Sequence, residues 1–388
     1  MPKKKILIIS LSYLHKDPRV IRQYETLKEE YDIVTMGYSA INEITPHVIL
    51  GRSPLKLVKK IIKGISLYSR WYSQYEKLST EKFTDNEKVL NQIDLIVCND
   101  ISALELGNTI AKEKIPIWAD LHEYSPRQFE NDKKWNTLIK PYVYWQTNKY
   151  LPKCQAITTV CDGLAKEYEK EFDVKIDSLV YNAPAYEKLF PSEVSTTIKL
   201  VHHGGATRHR YLERMIEMMQ YLDDNYSLDF YLMANDENSK SYELELKKLS
   251  KNQNINFNPP VPTREIARTI NKYDIGLFIL EPVNFNYLNA LPNKIFEFIQ
   301  ARLAIAVTPN PEMKGLVEKY KLGVVADNYS PKDMANKISL LSKDEVVFFK
   351  ENAHSKAQEL SALVSEKTIN KIVKKLLKYS SINQDNEE

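Results

Sequence analysis

Cysteine is scarce in this chain: three in 388 residues, Cys98, Cys154 and Cys161. The count is odd, no pair has CxxC spacing, and each lies in or beside an apolar stretch. That argues against a disulfide framework and more strongly against a zinc site. Long apolar runs are missing too, since none approaches the roughly 18 residues needed to span a bilayer. Net charge is small, +3 from 54 Lys and Arg against 51 Asp and Glu. The overall balance therefore does not point to nucleic acid, and any basic surface has to be local. GxGxxG and Walker fingerprints are absent, as is a repeat of about 20–50 residues. No DxD pair sits near a strand end, because Asp223 and Asp224 lie in a polar segment between elements. The N-terminal "MPKKKILIISLSYLHKDPRV" begins like a targeting signal. His15, Lys16 and Asp17 break its apolar run, however, and no small-residue cleavage site follows. A reduced cytoplasmic setting is the expectation.

What is present is ordinary globular material, 43% hydrophobic and 27% charged, at a length that favours two domains. Short apolar, β-branched runs alternate with amphipathic helical stretches. The first half offers "KILIISLSY", "YDIVTMGYS", "DLIVCND", "IPIWADLH", "AITTVCD" and "DSLVYN". The second offers "IKLVHHGG", "LDFYLMA", "INFNPP", "DIGLFIL", "AIAVTPN" and "LGVVAD". Continuous apolar strands separated by helices mark parallel sheets covered on both faces. The pattern predicts an α/β protein of two doubly wound, Rossmann-like domains. Their bounds are expected at 1–185 and 198–388, with the polar "APAYEKLFPSEVSTT" at 183–197 as hinge. The helical C-terminus is expected over about 331–379, and the polar tail "SSINQDNEE" is read as frayed.

Ligands of such folds bind beyond the carboxyl ends of the strands, so residues just past each strand are the candidates. In "WADLHEYSP", Asp120 and His122 follow a strand, where an imidazole can donate to a hydroxyl or phosphate oxygen. A histidine that only caps a turn is the alternative. In "LVHHGGATRHRYLERMIEMM", a strand runs into Gly204 and Gly205, and a helix is expected from about Tyr211. Glycines admit an anion close to the backbone, and Arg208 and Arg210 add charge for a phosphate. Exposed arginines on an ordinary turn are the alternative.

"LNALPNKIFEFIQARLAIAVT" carries Pro292, Asn293 and Lys294 at a helix start, with Glu297 alone among large apolar side chains. A carboxylate there is costly unless paired. Lys294 and the helix N–H groups suit a phosphate, and Glu297 one turn further in suits two ribose hydroxyls. A Lys294–Glu297 surface salt bridge is the alternative.

Two basic, aromatic stretches remain. Over 53–78, Leu57, Ile61, Ile65, Tyr68 and Tyr72 recur at helical spacing, with Lys56, Lys59, Lys60, Lys63 and Arg70 between them. This is the form of a helix on an anionic membrane surface, or of a domain helix packed on its sheet. In "KKWNTLIKPYVYWQTNKYLPK", Tyr142 and Trp145 read as core packing rather than as stacking platforms, and no nucleic-acid fold accompanies them.

In order and spacing, these segments resemble the GT-B glycosyltransferases, in particular the retaining family four, the glycosyl transferases group 1. "HKDPRVIRQYETLKEEYDIVTMG" resembles that group's first loop and helix, "WADLHEYSP" its D-x-H element, "HHGGATRHRYLERMIE" its phosphate-binding turn, and "NALPNKIFEFIQARLAIAVT" its donor helix. The resemblance implies two domains facing across a cleft, the last helix crossing back to the first domain. It implies a retaining, metal-independent hexosyltransferase that needs no cofactor and uses a nucleotide-diphosphate sugar. The acceptor would be a glycan, lipid-linked in one version, in cell-surface polysaccharide assembly at the inner membrane face.

By residue, it places His122 and Asp120 at the donor sugar, Arg210 at the pyrophosphate and Glu297 at the ribose. Gly204, Gly205, Arg208, Asn289, Pro292, Asn293 and Lys294 complete the donor site. Asp17 and Arg19 fall on the acceptor side. Two positions depart from the pattern: the first glutamate of E-x7-E falls on Asn289, and the arginine after the first glycine falls on Gly205. Glu281 lies near enough in sequence to supply a carboxylate. The departures leave two other readings open: a nucleotide-sugar epimerase or hydrolase on the same scaffold, and an inactive nucleotide-sugar-binding protein.

Overall fold

The computed structural model describes residues 2–51, 57–79, 82–83, 87–251 and 253–385. The chain forms two compact units: Met1–Tyr181 with Asn284–Asn286 and Ser365–Glu388, and Asn182–Val283 with Tyr287–Val364. Residues 284–286 and the end of the chain from Ser365 thus belong with the first unit.

The first unit is built on an eight-stranded sheet. In chain order its strands are β1 (Lys5–Ser10), β2 (Asp32–Gly37), β3 (His47–Gly51), β4 (Lys82–Phe83), β5 (Leu95–Asn99), β6 (Ile117–Leu121), β7 (Ala156–Thr159) and β8 (Ser178–Leu179). They lie in the order β4-β3-β2-β1-β5-β6-β7-β8. All pairs are parallel except β3 with β4. Ile6 to Ile9 of β1 are wholly buried, as a central strand covered by helices on both faces must be.

The terminal helix Ala362–Asp385 sets Ile369, Ile372, Val373, Leu376 and Leu377 into the core formed by Ile6, Ile8, Val20, Leu27 and Ile33. The spacing of those five residues makes one apolar stripe of a helix. Lys374 and Lys375 pin its flank to Glu30 at 3.2 Å and Asp177 at 3.0 Å. The helix also carries on into the polar tail as far as Asp385, because a formed helix extends at one hydrogen bond per residue fixed.

The second unit has six parallel strands: β9 (Ile198–Gly205), β10 (Tyr226–Met233), β11 (Ile255–Asn258), β12 (Ile275–Phe278), β13 (Ala304–Val307) and β14 (Gly323–Val325). Their order is β11-β10-β9-β12-β13-β14. In each sheet the strand order reverses at one place, beside β1 in the first and beside β9 in the second. Crevices at such reversals, past the carboxyl ends of the strands, are where doubly wound sheets bind ligands. β3 and β4 are absent from the apolar runs of the sequence. β3 alternates buried and exposed residues instead of running apolar, and β4 is two residues long.

The basic stretch expected as one helix is two, Leu57–Tyr68 and Tyr72–Ser79. Arg70, in the left-handed region at φ 58°, breaks it. Lys56 and the start of that stretch lie outside the described residues. In the first of these helices Leu57, Val58, Ile61, Ile65 and Tyr68 are exposed, and Ser66 is its buried residue. In the second, Tyr72 and Tyr75 pack on Tyr142 at 5.8 and 4.7 Å between ring centroids, and Tyr72 on Trp145 at 5.7 Å. Tyr142 and Trp145 are thus occupied by packing, as their sequence context suggests.

Candidate functional site

β9 ends on two glycines, and only the first is required by the local geometry. Gly204 has φ 124°, and a Cβ built there would run into the Lys294 ammonium, with Arg210 Nη1 only 3.4 Å from it. The missing side chain is what lets two cations close on the end of the strand. At Gly205 the nearest atom to an added Cβ is Thr207 Cγ2 at 3.7 Å, so a side chain fits there.

Lys294 comes from the helix Asn293–Gln300, which starts after Pro292 in extended conformation and buries Ile295, Phe296, Phe298 and Ile299 completely. That apolar seating carries Lys294 and Glu297 down with it, each to 6% exposure. Neither the Lys294 ammonium nor the Arg210 guanidinium makes a hydrogen bond among the described residues. The ammonium sits 5.2 Å over the Phe278 ring. Burial, then the nearby Arg210 charge, lowers the Lys294 pKa to about 7, with Glu297 pulling the other way.

Glu297 Oε2 lies 3.3 Å from His203 Nε2, but outside hydrogen-bonding geometry, and that nitrogen is buried without a hydrogen-bond partner. Burial, Lys294 and Arg210 together hold the His203 pKa well below the usual histidine value. The contact is therefore a neutral imidazole beside a carboxylate rather than an ion pair. Beside it, at the ends of β9 and β10, is a small, mainly apolar cavity lined by His203, Gly204, Tyr231, Met233, Val261 and Ile266. His203 is a site residue that the motifs missed. Its only signal is a polar side chain ending an apolar strand, directly before the glycine.

Other residues expected in this constellation are placed differently. Arg208 forms a two-pronged pair with Glu245 at 2.5 and 2.7 Å. It also covers the Tyr242 ring, so it is turned away from Gly204 and Lys294 toward Glu245. The helix expected from Tyr211 begins at Glu213 and has seven residues. Tyr211 itself adopts φ 49°. The backbone N–H of Leu212 donates to Tyr242 Oη at 2.8 Å, and Glu213 puts a carboxylate in the first turn. That helix end is no open anion site, which leaves Arg210 and Lys294 as the positive groups. Glu281 is engaged by Arg214 at 2.6 and 2.7 Å and is not a spare carboxylate. Asn289, half-buried, lies in the turn after the helix Phe285–Leu288, and Asn293 is the first residue of the helix Asn293–Gln300.

In the first unit, the D-x-H element ends β6. Asp120 is wholly buried and receives Arg19 through two hydrogen bonds, at 2.7 and 2.5 Å. Gln23 Nε2 donates to it at 2.6 Å and Thr158 Oγ1 at 2.6 Å. Burial opposes its ionisation, but the Arg19 charge and hydrogen bonds prevail, so its pKa is lowered. Arg19, 4% exposed, also donates to the Val180 carbonyl at 2.5 Å. Asp17 caps the helix Pro18–Leu27, accepting from the N–H groups of Arg19 and Val20 and from Ser12 Oγ at 2.8 Å.

These placements correct three assignments. Asp120 is a buried anchor rather than a group that touches substrate, Arg19 is its counter-ion, and Asp17 is a helix cap. His122 is the member of the element left with partial exposure. Its Nε2 lies 3.0 Å from Asn99 Oδ1, and its backbone N–H donates to Asp100 Oδ1 at 2.7 Å. The Asn99 amide is oriented in turn by Gln23, at 3.0 Å in both directions. Asn99 and Gln23 also escaped the motif reading, because neither residue type at those positions signals anything until the sheet brings them together.

Residues 188–360 match the family model described as glycosyl transferases group 1. No curated protein sequence matches the chain. Among solved structures, sucrose-phosphate synthase from Thermosynechococcus elongatus is similar at a TM-score of 0.71 and 10% identity, covering 97% of this chain and 100% of its own. Anabaena HepE, in complex with UDP and glucose, is similar at 0.68 and 12%, covering 96% and 99%. The α,α-trehalose 6-phosphate synthase of Burkholderia multivorans is similar at 0.62 and 10%, covering 99% of each chain. The chain thus has the two-sheet GT-B fold of these structures, and its residues 188–360 match the glycosyl transferases group 1.

Proposed function

We propose that the chain moves a sugar from a nucleotide-diphosphate donor to a glycan acceptor, with retention and without a metal ion. One observation carries the reading: Arg210 and Lys294 are brought together beside Gly204, at the strand-order reversal, with no hydrogen-bonded anion among the described residues. A diphosphate supplies that anion. Glu297, one helical turn deeper, accepts two hydroxyls of the ribose, and Asn289 hydrogen-bonds a sugar hydroxyl without adding charge. As the sugar–phosphate bond breaks, charge builds on the departing diphosphate, and two preorganised cations stabilise it in the manner of a divalent ion. The acceptor oxygen forms the new bond to the anomeric carbon and gives up its proton to the departing diphosphate. His122, held by Asn99 and Asp100, donates to the sugar or its phosphate.

The exposed apolar side of the helix Leu57–Tyr68, interspersed with Lys59, Lys60 and Lys63, supports docking on an anionic lipid surface and hence a lipid-linked acceptor. Vesicles containing phosphatidylserine should bind the protein and neutral vesicles should not. Equal binding to both would remove the membrane from this reading. No helix among the described residues is long and apolar enough to cross a membrane.

The deciding experiment is a thermal shift against UDP, GDP, ADP and CMP and their sugar conjugates, for wild type and Glu297→Ala. UDP comes first because HepE is seen with it. A ligand that binds only the folded protein raises its melting temperature. A base-specific shift that Glu297→Ala abolishes supports the donor site, whereas no shift with any nucleotide defeats it. Product analysis without acceptor separates transfer from hydrolysis or epimerisation, which would release free or inverted sugar.

A further inference from the structure

Beside His122, and wholly within the first unit, lies a cavity of about 240 Å³ that the donor chemistry leaves unused. Its walls include Asp100, Glu123, Gln128, Trp135 and Gln146, and no lysine or arginine contributes to them. It is smaller than the roughly 300–1,000 Å³ of pockets for larger ligands, a size for one ring rather than a nucleotide.

Each wall brings a distinct chemistry. Gln146 is 7% exposed, and its amide makes no hydrogen bond among the described residues, although it borders the cavity. The amide meets solvent at the cavity, so a ligand hydroxyl that both donates and accepts can take the place of water there. Trp135 opens a π-helical turn, Trp135–Ile139, that runs into the helix Lys140–Tyr150. Such turns are frequent at functional sites. This one puts Trp135, Ile139 and Val143 on the same wall as Gln146. The Phe129 ring, 6.0 Å from the Trp135 ring and edge-on to it, supports the indole.

Opposite them are two carboxylates. Asp100 adopts φ 64° and ψ 165°, a strained conformation for a residue with a side chain. Glu123 Oε2 accepts a hydrogen bond from Gln128 Nε2 at 2.8 Å. Solvent reaches the Glu123 side chain, yet protein crowds its carboxyl and Asp100 adds like charge, so its pKa is raised.

We infer that this cavity is the subsite for one uncharged sugar ring of the acceptor, gripped by Glu123 and Gln146 through its hydroxyls and by Trp135 through its C–H face. The inference rests on the glycosyltransferase reading and adds the acceptor's charge class to it. Carboxylates accept sugar hydroxyls well and repel a sugar carboxylate or phosphate. The cavity therefore excludes uronic acids and sugar phosphates, and it is opposite in charge to the cluster of Arg210 and Lys294.

The test is saturation-transfer NMR on the full chain with four neutral probes and one acidic one. The neutral probes are the methyl glycosides of glucose, galactose, mannose and N-acetylglucosamine, and the acidic one is methyl glucuronide. At least one neutral glycoside should give a signal that Trp135→Ala and Gln146→Leu each abolish. Methyl glucuronide should give none until Glu123→Gln removes a charge. The nucleotide thermal shift, run in parallel, shows that each variant is folded. It also separates the two ideas, since a wild type with a nucleotide shift but no glycoside signal defeats the subsite alone. Transfer to glucuronide equal to that of the neutral glycosides overturns the inference. A neutral signal indifferent to both Trp135→Ala and Gln146→Leu does the same.

Discussion

Two buried polar clusters, one in each unit, are built on opposite principles. Around Asp120 the charges and amides are matched: Arg19, Gln23 and Thr158 all donate to one carboxylate, and Asn99 carries the chain of contacts on to His122. Around Gly204 the balance is left open, with two cations that have no hydrogen-bonded anion among the described residues and a neutral His203 against Glu297. A matched cluster holds geometry in place. An unmatched one costs stability in the free protein and is relieved by a ligand of opposite charge. That contrast accords with the proposal that the first cluster is scaffold and the second binds the diphosphate.

The sharpest break of this contrast is a charge deletion in each cluster. Asp120→Asn leaves Arg19 buried without its counter-ion and should destabilise the first unit by about 3–5 kcal/mol, measured by urea unfolding. Retained stability would mean the network is not closed. In the second cluster, Glu297→Ala should weaken nucleotide-diphosphate sugar binding by about 1.5–3 kcal/mol, the range for hydrogen bonds to a charged group, while the protein stays folded. Calorimetric titration reads that loss.

Lys294→Met should sharpen the comparison through pH. With its folded pKa at about 7 against 10.5 for the free side chain, folded Lys294 binds fewer protons than unfolded Lys294 between those values. Wild-type stability should therefore rise with pH across that window, and Lys294→Met should flatten the rise. A bound diphosphate restores the proton, so nucleotide affinity should fall above about pH 7, by up to about tenfold per unit, and the variant should lose that slope. Constant affinity from pH 7 to 9 would count against Lys294 as a diphosphate ligand. Gly204→Ala should lower stability by about 1–3 kcal/mol through backbone strain at positive φ, and it should displace the Lys294 ammonium. Gly205→Ala, where a Cβ has room, serves as its control in the same melting experiment.

Much of the fold was readable because central parallel strands buried on both faces are largely apolar, as "KILIIS", "LIVCN" and "AIAV" are. β3 was not readable, because its alternating burial leaves no continuous run. Nor was the break at Arg70, since a positive φ leaves no trace in a pattern of lysines and isoleucines. In the site, Glu297 stood out because its neighbours are phenylalanines. Arg208 and Arg210 looked alike, two residues apart in one turn. The structure turns Arg208 to Glu245 and brings Arg210 to Lys294. Asp17 and Arg19 lay in a recognisable motif, but the motif did not show that one caps a helix and the other is buried.

By itself, the sequence determined the alternation of strand and helix and the apolar seat around Glu297, while the structure decided that 204 and not 205 is the glycine that must stay bare. The first two are local matters of periodicity and hydrophobic burial. Only the tertiary structure decided which charges meet. Arg19 and Asp120 are 101 positions apart, and Gly204 and Lys294 come from separate elements of one sheet-and-helix layer. A carboxylate's role depends on what lies within a few ångströms of it, and that distance is set by folding.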